Sequence, residues 1–409
     1  MPKQITGLAS LNPTQSTKSI PLNIFPARVT MTILDNTTER EAFQNFGEWS
    51  SIGSLFFSKL DNPNPSKKFT TDNFAKPLFP NTSNIPLHNE LVYVMALPNS
   101  NVQADVNDLT YYYFQAINIW NSTHHNAIPD PINNNPLPSS QTQDYEQTSA
   151  GSVRRVSDGG TEIELGNNFQ EKISIRNLQP YVGDIIYQGR WGQSLRFGST
   201  VKQTPIPNTW STSGEDGDPI TILRNGQYEE NTEPWIPQVE NINDDASSIW
   251  LTKNQKIPIN VATKSYKSYQ SPPESPNLFS GEQIILNSGR LTFNSKADSI
   301  LLSAKKTINL NSVDSINIDS PTTIIQSTKV LLGDKNATEP IILGDTFLSD
   351  FSSLMSSLVT LCQQLSIPMA LASLQPHAGL PTPATQTLTK AQNMINKINK
   401  YKSKISKSK

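Results

Sequence analysis

The stretch ILLSAKKTINLNSVDSINIDSPTTIIQSTKVLL, residues 300–332, decides how the rest of the chain is read. Set in blocks of eight, it places Ile300, Ile308, Ile316 and Ile324 in one phase, which Leu332 keeps. Two places on come Leu302, Leu310 and Ile318, and four places on the small residues Ala304, Ser312, Ser320 and Thr328. Each block is a short apolar-x-apolar strand followed by a polar turn. A strand so thin has one narrow apolar face and two open edges, and it cannot bury itself within one chain. A one-chain solenoid would ask for longer turns or Gly-rich repeats. Three chains wound about one another bring the isoleucines onto a threefold axis and leave no edge open. An intertwined trimeric β-helix or prism is therefore expected over residues 281–340, with Ile300, Leu302, Ile308, Leu310, Ile316, Ile318 and Ile324 along its axis. A meander in a globular domain is the plainer alternative, and the in-phase repeats speak against it. The repeat is strict from 300 to 318 and weakens where Gln326 takes an apolar slot. Upstream, Leu291 and Phe293 are out of phase with Ile284 and Leu286, so a reset of the face is expected near Ser288 and Gly289.

Downstream the period changes. Phe347, Phe351, Leu354, Leu358, Leu361 and Leu365 fall alternately four and three apart, a short heptad seam within residues 341–367. Asp345 suits the start of that helix and Pro368 its end. The seam reads either as a trimeric coiled coil continuing the axis or as one amphipathic helix packed on its own chain. The coil is preferred because the preceding repeat already needs three chains. Residues 368–409 read as a Pro-rich loop and a Lys-rich helical tail, with Leu388, Ile395 and Ile398 along the helix. Lysines 390, 397, 400, 402, 404, 407 and 409 could attract the phosphates of an anionic envelope, but a solvated, frayed terminus is the favoured reading.

Upstream, residues 1–85 read as an arm with a strand after Pro26, since Pro65, Pro77 and Pro80 oppose long helices. Docking on a neighbour, or disorder until assembly, are both open readings of it. Residues 86–265 carry strand signals at 90–95, 111–120, 172–176, 184–187, 194–197, 220–224 and 248–252, separated by long polar loops, which suits a small β-barrel. Its best element is GDIIYQGRWGQSLRFGST (residues 183–200), a hairpin in which Ile185, Tyr187, Leu195 and Phe197 supply the alternation around a Gly-rich turn. Residues 266–280 are a Pro/Ser-rich link.

Composition agrees with an elongated β-rich chain that gains burial by oligomerising. The 409 residues leave room for about two to four domains. Hydrophobic content of 35% and charged content of 17% are both low, and prolines number 30. A net charge of -2 builds in no general attraction to nucleic acid or membrane. The single cysteine, Cys362, excludes an intrachain disulfide framework and fits assembly in a reducing cytoplasm. MPKQITGLASLNPTQ lacks the apolar run of a signal peptide, and no stretch is apolar for the length of a membrane span.

Motifs of chemistry are weak. His124 and His125 are adjacent, and on a strand they would point to opposite faces, so loop hydrogen bonding is the better reading than a shared metal. His377 stands alone. SGEDGD (residues 213–218) gathers acids without the spacing of a calcium loop, and a turn is expected there. No glycosidase-like pair, Ser/His/Asp or Cys/His arrangement, or phosphate-cradling glycine loop is visible. Neither an enzyme nor a cofactor is expected.

Several segments, in order, resemble a known family: YYYFQAINIWNSTHHNA, PYVGDIIYQGRWGQSLRFGST, GEDGDPITILRNGQ, SIWLTKNQKIPI and EPIILGDTFLSDFSSLMSSL. They resemble the central spike, or hub–spike, baseplate proteins of contractile-tailed bacteriophages, related to the valine-glycine-repeat spikes of type VI secretion. The resemblance covers residues 85–360 and implies an OB-like β-barrel followed by a trimeric triple-stranded β-helix. It implies a homotrimer in the virion, at the tail baseplate, assembled in the host cytoplasm. Its implied partners are tail tube or hub proteins, a tip-capping protein and the host cell envelope, with no nucleic acid specificity. Residues 252–281 leave no room for the lysozyme domain some relatives carry, and the octad lacks the Val-Gly signature. A trimeric receptor-binding fibre or adhesin is the first alternative and a peptidoglycan-degrading tail enzyme the second.

Overall fold

The computed structural model describes residues 23–37, 39–60, 69–79, 81–98, 109–117, 126, 165–166, 169, 172, 175–202, 208, 210, 215–228, 237–264, 266, 269, 272–333, 335–342, 344–365, 381–397 and 401–408. The chain divides into two compact units, Met1–Pro258 with Ser280–Leu291, and Ile259–Phe279 with Thr292–Lys409.

The first unit opens with a closed five-stranded barrel. Its strands are β1 (Asn23–Thr32), β2 (Leu55–Lys59), β3 (Phe74–Pro77), β4 (Leu91–Pro98) and β5 (Leu109–Ala116), in the order β1-β2-β3-β5-β4. Every pairing is antiparallel except the parallel β3–β5 seam, where Ala75, Lys76 and Pro77 face Tyr111, Tyr112 and Tyr113. Period-two alternation drives β1 into place: Ala27, Val29 and Met31 point inward between the less buried Arg28 and Thr30. Ala27 and Val29 meet Leu55, Phe57, Val92, Val94 and Tyr113 in the barrel core. A second apolar cluster gathers Met31, Ile33 and Phe56 beneath Ala42 and Phe43 of the short helix α1 (Arg40–Asn45), with Phe46, Phe69 and Phe74 packed around it. The buried Tyr113 hydroxyl donates to the Gly53 carbonyl at 2.6 Å.

The barrel therefore lies nearer the N-terminus than the sequence reading placed it. Three of its strands lie in residues 23–77, which were expected to form an arm. Their inward residues are spread over short, proline-bounded segments, and only closure of the ring shows their common interior.

The remaining strands of this unit form an open antiparallel sheet: β6 (Ile185–Gln188), β7 (Ser194–Ser199), β8 (Pro219–Asn225), β9 (Ser247–Thr252) and β10 (Gln283–Ser288), in the order β10-β9-β8-β7-β6. The hairpin at residues 183–200 is present as β6 and β7, but in this sheet and not in the barrel. Its turn is closed by the Gly189 amide donating to Gln193 O at 2.8 Å, with Gly192 at φ +86. Ile175 and Arg176, where a further strand was expected, are irregular.

In the second unit, residues 292–329 carry no strand pairing. They are followed by β11 (Val330–Leu332), β12 (Glu339–Ile342), α2 (Gly344–Leu365), α3 (Pro381–Lys397) and β13 (Lys402–Ser408). The Lys-rich end is thus a strand where a helical tail was expected. It lies between β11, to which it runs parallel, and β12, to which it runs antiparallel. KSKISKS holds one apolar residue, Ile405, and shows no period of its own; pairing with β11 and β12 gives it the strand conformation. Among the described residues no helix is long and apolar enough to cross a membrane.

Candidate functional site

The period-eight row is the longest exposed apolar feature among the described residues. Every residue from 291 to 329 is solvent-exposed except Asn309, which is half-buried. Ile300, Leu302, Ile308, Leu310, Ile316, Ile318 and Ile324 are each between 52% and 84% exposed. Local order comes from polar pairs two residues apart, such as Asn309 Nδ2 to Thr307 Oγ1 at 3.0 Å and Asn317 Nδ2 to Ser315 Oγ at 3.1 Å. Among the described residues nothing pairs with the row, and so many large aliphatic groups in sequence form a surface that water disfavours.

The heptad seam lies on α2. Its Phe351 and Leu358 are exposed, and Phe347, Leu354 and Leu361 are half-buried; the side chain of Leu365 lies outside the described residues. Phe347 stacks on Phe351 with ring centroids 5.7 Å apart and meets Tyr401 edge-on at 5.5 Å. The helix α3 is tied to α2 beside this seam and not over it. Lys397 Nζ reaches Asp350 at 3.2 Å, Lys390 Nζ donates to Ser353 O at 3.3 Å, and Ser357 is buried. Tyr401 donates its hydroxyl to Asp350 Oδ2 at 2.5 Å. That bond and the one from Lys397 hold the Asp350 carboxyl below the usual carboxylate range. The reading as one amphipathic helix on its own chain is met in part: α2 packs along one flank and leaves the seam half open. Leu388 and Ile395 of α3 are exposed, and Ile398 lies outside the described residues.

The hairpin residues do not fill an interior. Ile185, Tyr187 and Phe197 are exposed and Leu195 is half-buried. The inner face of the sheet is taken instead by charge. Arg196 is fully buried and donates from Nε to Glu240 at 2.7 Å, from Nη1 to Asp184, and from Nη2 to Gln179 O at 3.0 Å. Its guanidinium lies 5.0 Å from the Trp210 ring and 5.8 Å from that of Tyr181. Arg224, equally buried, reaches Ser194 Oγ at 3.2 Å and Asp245 at 3.4 Å. Two guanidiniums thus face three carboxylates, Asp184, Glu240 and Asp245. Desolvation pushes the Asp245 carboxyl up to about 6, against the pull of Arg224. Ile220, Ile222 and Trp250 complete this face. Sequence reasoning missed the network. Arg196 and Arg224 hold the opposite parity to Phe197 and Leu223, which is the one visible sign, but nothing in the sequence names Asp184, Glu240 and Asp245 as their partners.

The acids of SGEDGD act as turn ligands. Asp218 accepts from the Glu215 amide at 2.8 Å and from Asn254 Nδ2 at 3.2 Å, and these bonds lower its pKa. Asp216 accepts from the Lys202 amide at 2.7 Å. His124, His125 and His377 lie outside the described residues. Among the described residues, no group of His, Cys, Asp and Glu could hold a metal ion. No family model, curated protein or solved structure matches this chain.

Proposed function

We propose that this chain is a structural virion protein, the homotrimeric central spike or hub at the tip of a contractile phage tail, joining the tail tube to a shaft that helps pierce the host envelope. The observation that carries the reading is the exposed, unpaired octad row of residues 291–329. Three such rows, turned toward a common axis, form a triple-stranded β-helix in which every edge is paired between chains. The barrel supports the same reading. The closed order β1-β2-β3-β5-β4, with β3 and β5 parallel and β4 returning to β1, supports reading it as an OB-like barrel. The half-open seam of α2 suits a short threefold coil after the shaft. The mechanism is mechanical and uses no catalytic group. Contraction drives the axial shaft against the envelope, and interchain ladders with a dry aliphatic stack give it stiffness. The tail tube or hub proteins would meet the collar, and a capping protein the tip.

Sedimentation equilibrium of the full chain tests the assembly: the expected mass is that of a trimer of the 45.3 kDa chain. Gold-labelled antibody on intact virions tests the place, with label expected at the distal end of the tail. A monomer, or label confined to lateral fibres, refutes the proposal. A cleared zone on a peptidoglycan zymogram would establish the wall-degrading alternative instead.

A further inference from the structure

The outward face of the five-stranded sheet is composed like the interior of a protein. Strand pairing aligns Ile185, Phe197, Thr221, Leu251 and Ile284 in one cross-strand row. The adjacent row is Tyr187, Leu195, Leu223, Ile249 and Leu286. No position is charged, and Thr221 alone is neither aromatic nor a large aliphatic. Eight of these residues are between 36% and 72% exposed. Together they present roughly 700 Å² of apolar surface, above the ~300–600 Å² of the largest patch on an ordinary monomer. That is close to the ~800 Å² each partner gives to a standard interface.

The sheet cannot relieve this by turning over. Its other face is committed to Arg196 with Asp184 and Glu240 and to Arg224 with Asp245, all buried. Reversing it would expose Trp250, Ile220 and Ile222 and dismantle the ion pairs. The face is therefore outward by construction.

We infer that its occupant is a second copy of the same chain, so that in the trimer three such sheets turn this face toward one another and form the collar. Three observations select a copy over another partner. The area is that of one side of a stable interface. The face is uncharged, as the centre of a self-association surface is and as a surface steering toward a charged partner is not. Finally, Ile284 and Leu286 stand on β10, an edge strand of the sheet, from which the chain passes directly into the exposed apolar row at residues 291–329. The inference rests on the trimeric reading above and adds to it a contact outside the shaft.

Nitration of Tyr187, 65% exposed in the single chain, tests it on the full-length protein, compared with the double variant L223D/L251D. Both substituted side chains point to solvent in the single chain, so the fold is kept, and far-ultraviolet circular dichroism verifies this. In the wild-type trimer Tyr187 is expected to react about tenfold more slowly than an accessible tyrosine, as a packed interface core excludes water. In the double variant it regains the fast rate, and the trimer melts lower. If the wild type is a trimer in which Tyr187 reacts at the accessible rate, the inference fails while the trimeric reading stands. If Tyr187 is equally protected in both proteins, a segment of its own chain covers the face and the inference fails again. A monomeric wild type overturns the trimeric reading and this inference together. Should the double variant misfold, the milder Leu251→Ser and the wild-type rate alone decide.

Discussion

Replacing Ile316 with aspartate probes the shaft where the repeat is strictest. In the single chain Ile316 is 54% exposed, so closing an axis over it removes about half of an isoleucine side chain from water. Full burial of such a side chain contributes about 1.5–3 kcal/mol, so this position contributes about 1 kcal/mol per chain and about 3 kcal/mol per trimer. Losing that alone lowers the association constant by about a hundredfold. The aspartates add a larger cost, because three carboxylates would meet in a space without water, where an unpaired charge costs several kcal/mol or must take up a proton. Sedimentation velocity on the full chain at micromolar concentration should show wild-type trimer and Ile316→Asp monomer. Trimer should return in part at acid pH as the carboxylates become neutral. Val313→Asp is the control. Val313 is 79% exposed and holds the opposite parity to the row, so its aspartate should leave the trimer intact. If Ile316→Asp stays trimeric and as heat-resistant as the wild type, or if Val313→Asp is equally damaging, the axial assignment is wrong.

Three further outcomes concern the first unit. Asp245 has an ordinary value of 3.8 and is raised to about 6 in the fold. Its neutral form is therefore the one the fold prefers, and that stability is fully present below pH 3.8 and lost as pH rises through about 6. Asp245→Asn should thus gain on the wild type by about 2–3 kcal/mol between pH 4 and pH 7 in urea unfolding; a pH-independent difference would contradict this. Tyr113→Phe removes the donor to Gly53 O inside the barrel and should cost about 1–2 kcal/mol, read from the urea midpoint. Gly226→Ala places a methyl 2.9 Å from Ala246 Cβ at a φ of +79, so it should destabilise by about 1–3 kcal/mol, and a neutral result would mean that the β8–β9 turn relaxes freely.

Much of the strand content was legible, because alternation is a local property. The runs that became β4 to β9 announce themselves by clustered β-branched, aromatic and aliphatic residues, with alternation plain in β6 and β7, and α2 by its four-three spacing. What alternation cannot tell is which of two faces turns inward. In β7 the sequence Ser194-Leu195-Arg196-Phe197 offers Leu and Phe as core by every hydrophobicity rule. The fold buries Ser and Arg because Asp184 meets Arg196 from the start of the same hairpin, and Glu240 and Asp245 arrive from a loop far along the chain. The barrel was misplaced for a related reason. Its seam joins β3 to β5 across a long sequence separation, and β3 is too short to be read as a strand at all. The shaft is the opposite case: its repeat is plain in the sequence, and a single chain holds nothing for it to pair with. The face on β6 to β10 was half legible. Ile185, Tyr187, Leu195 and Phe197 were singled out correctly as one side of a hairpin and assigned to the wrong environment.

The barrel is closed by its shortest strand. Along β3, Pro77 has no amide to give, and both pairings of this strand are short, to Leu55 and Phe56 on one side and to Tyr111, Tyr112 and Tyr113 on the other. The packed interior, with Ala27, Val29 and Val92 fully inaccessible, governs how much free energy complete unfolding requires. The seam governs how often the ring opens. Those two quantities separate in time: amides along β3 should exchange with solvent hydrogen on a faster clock than those of β1 and β4, without any loss of overall stability. The barrel is thus a ring with a latch, and its breathing is set by four residues, one of them a proline.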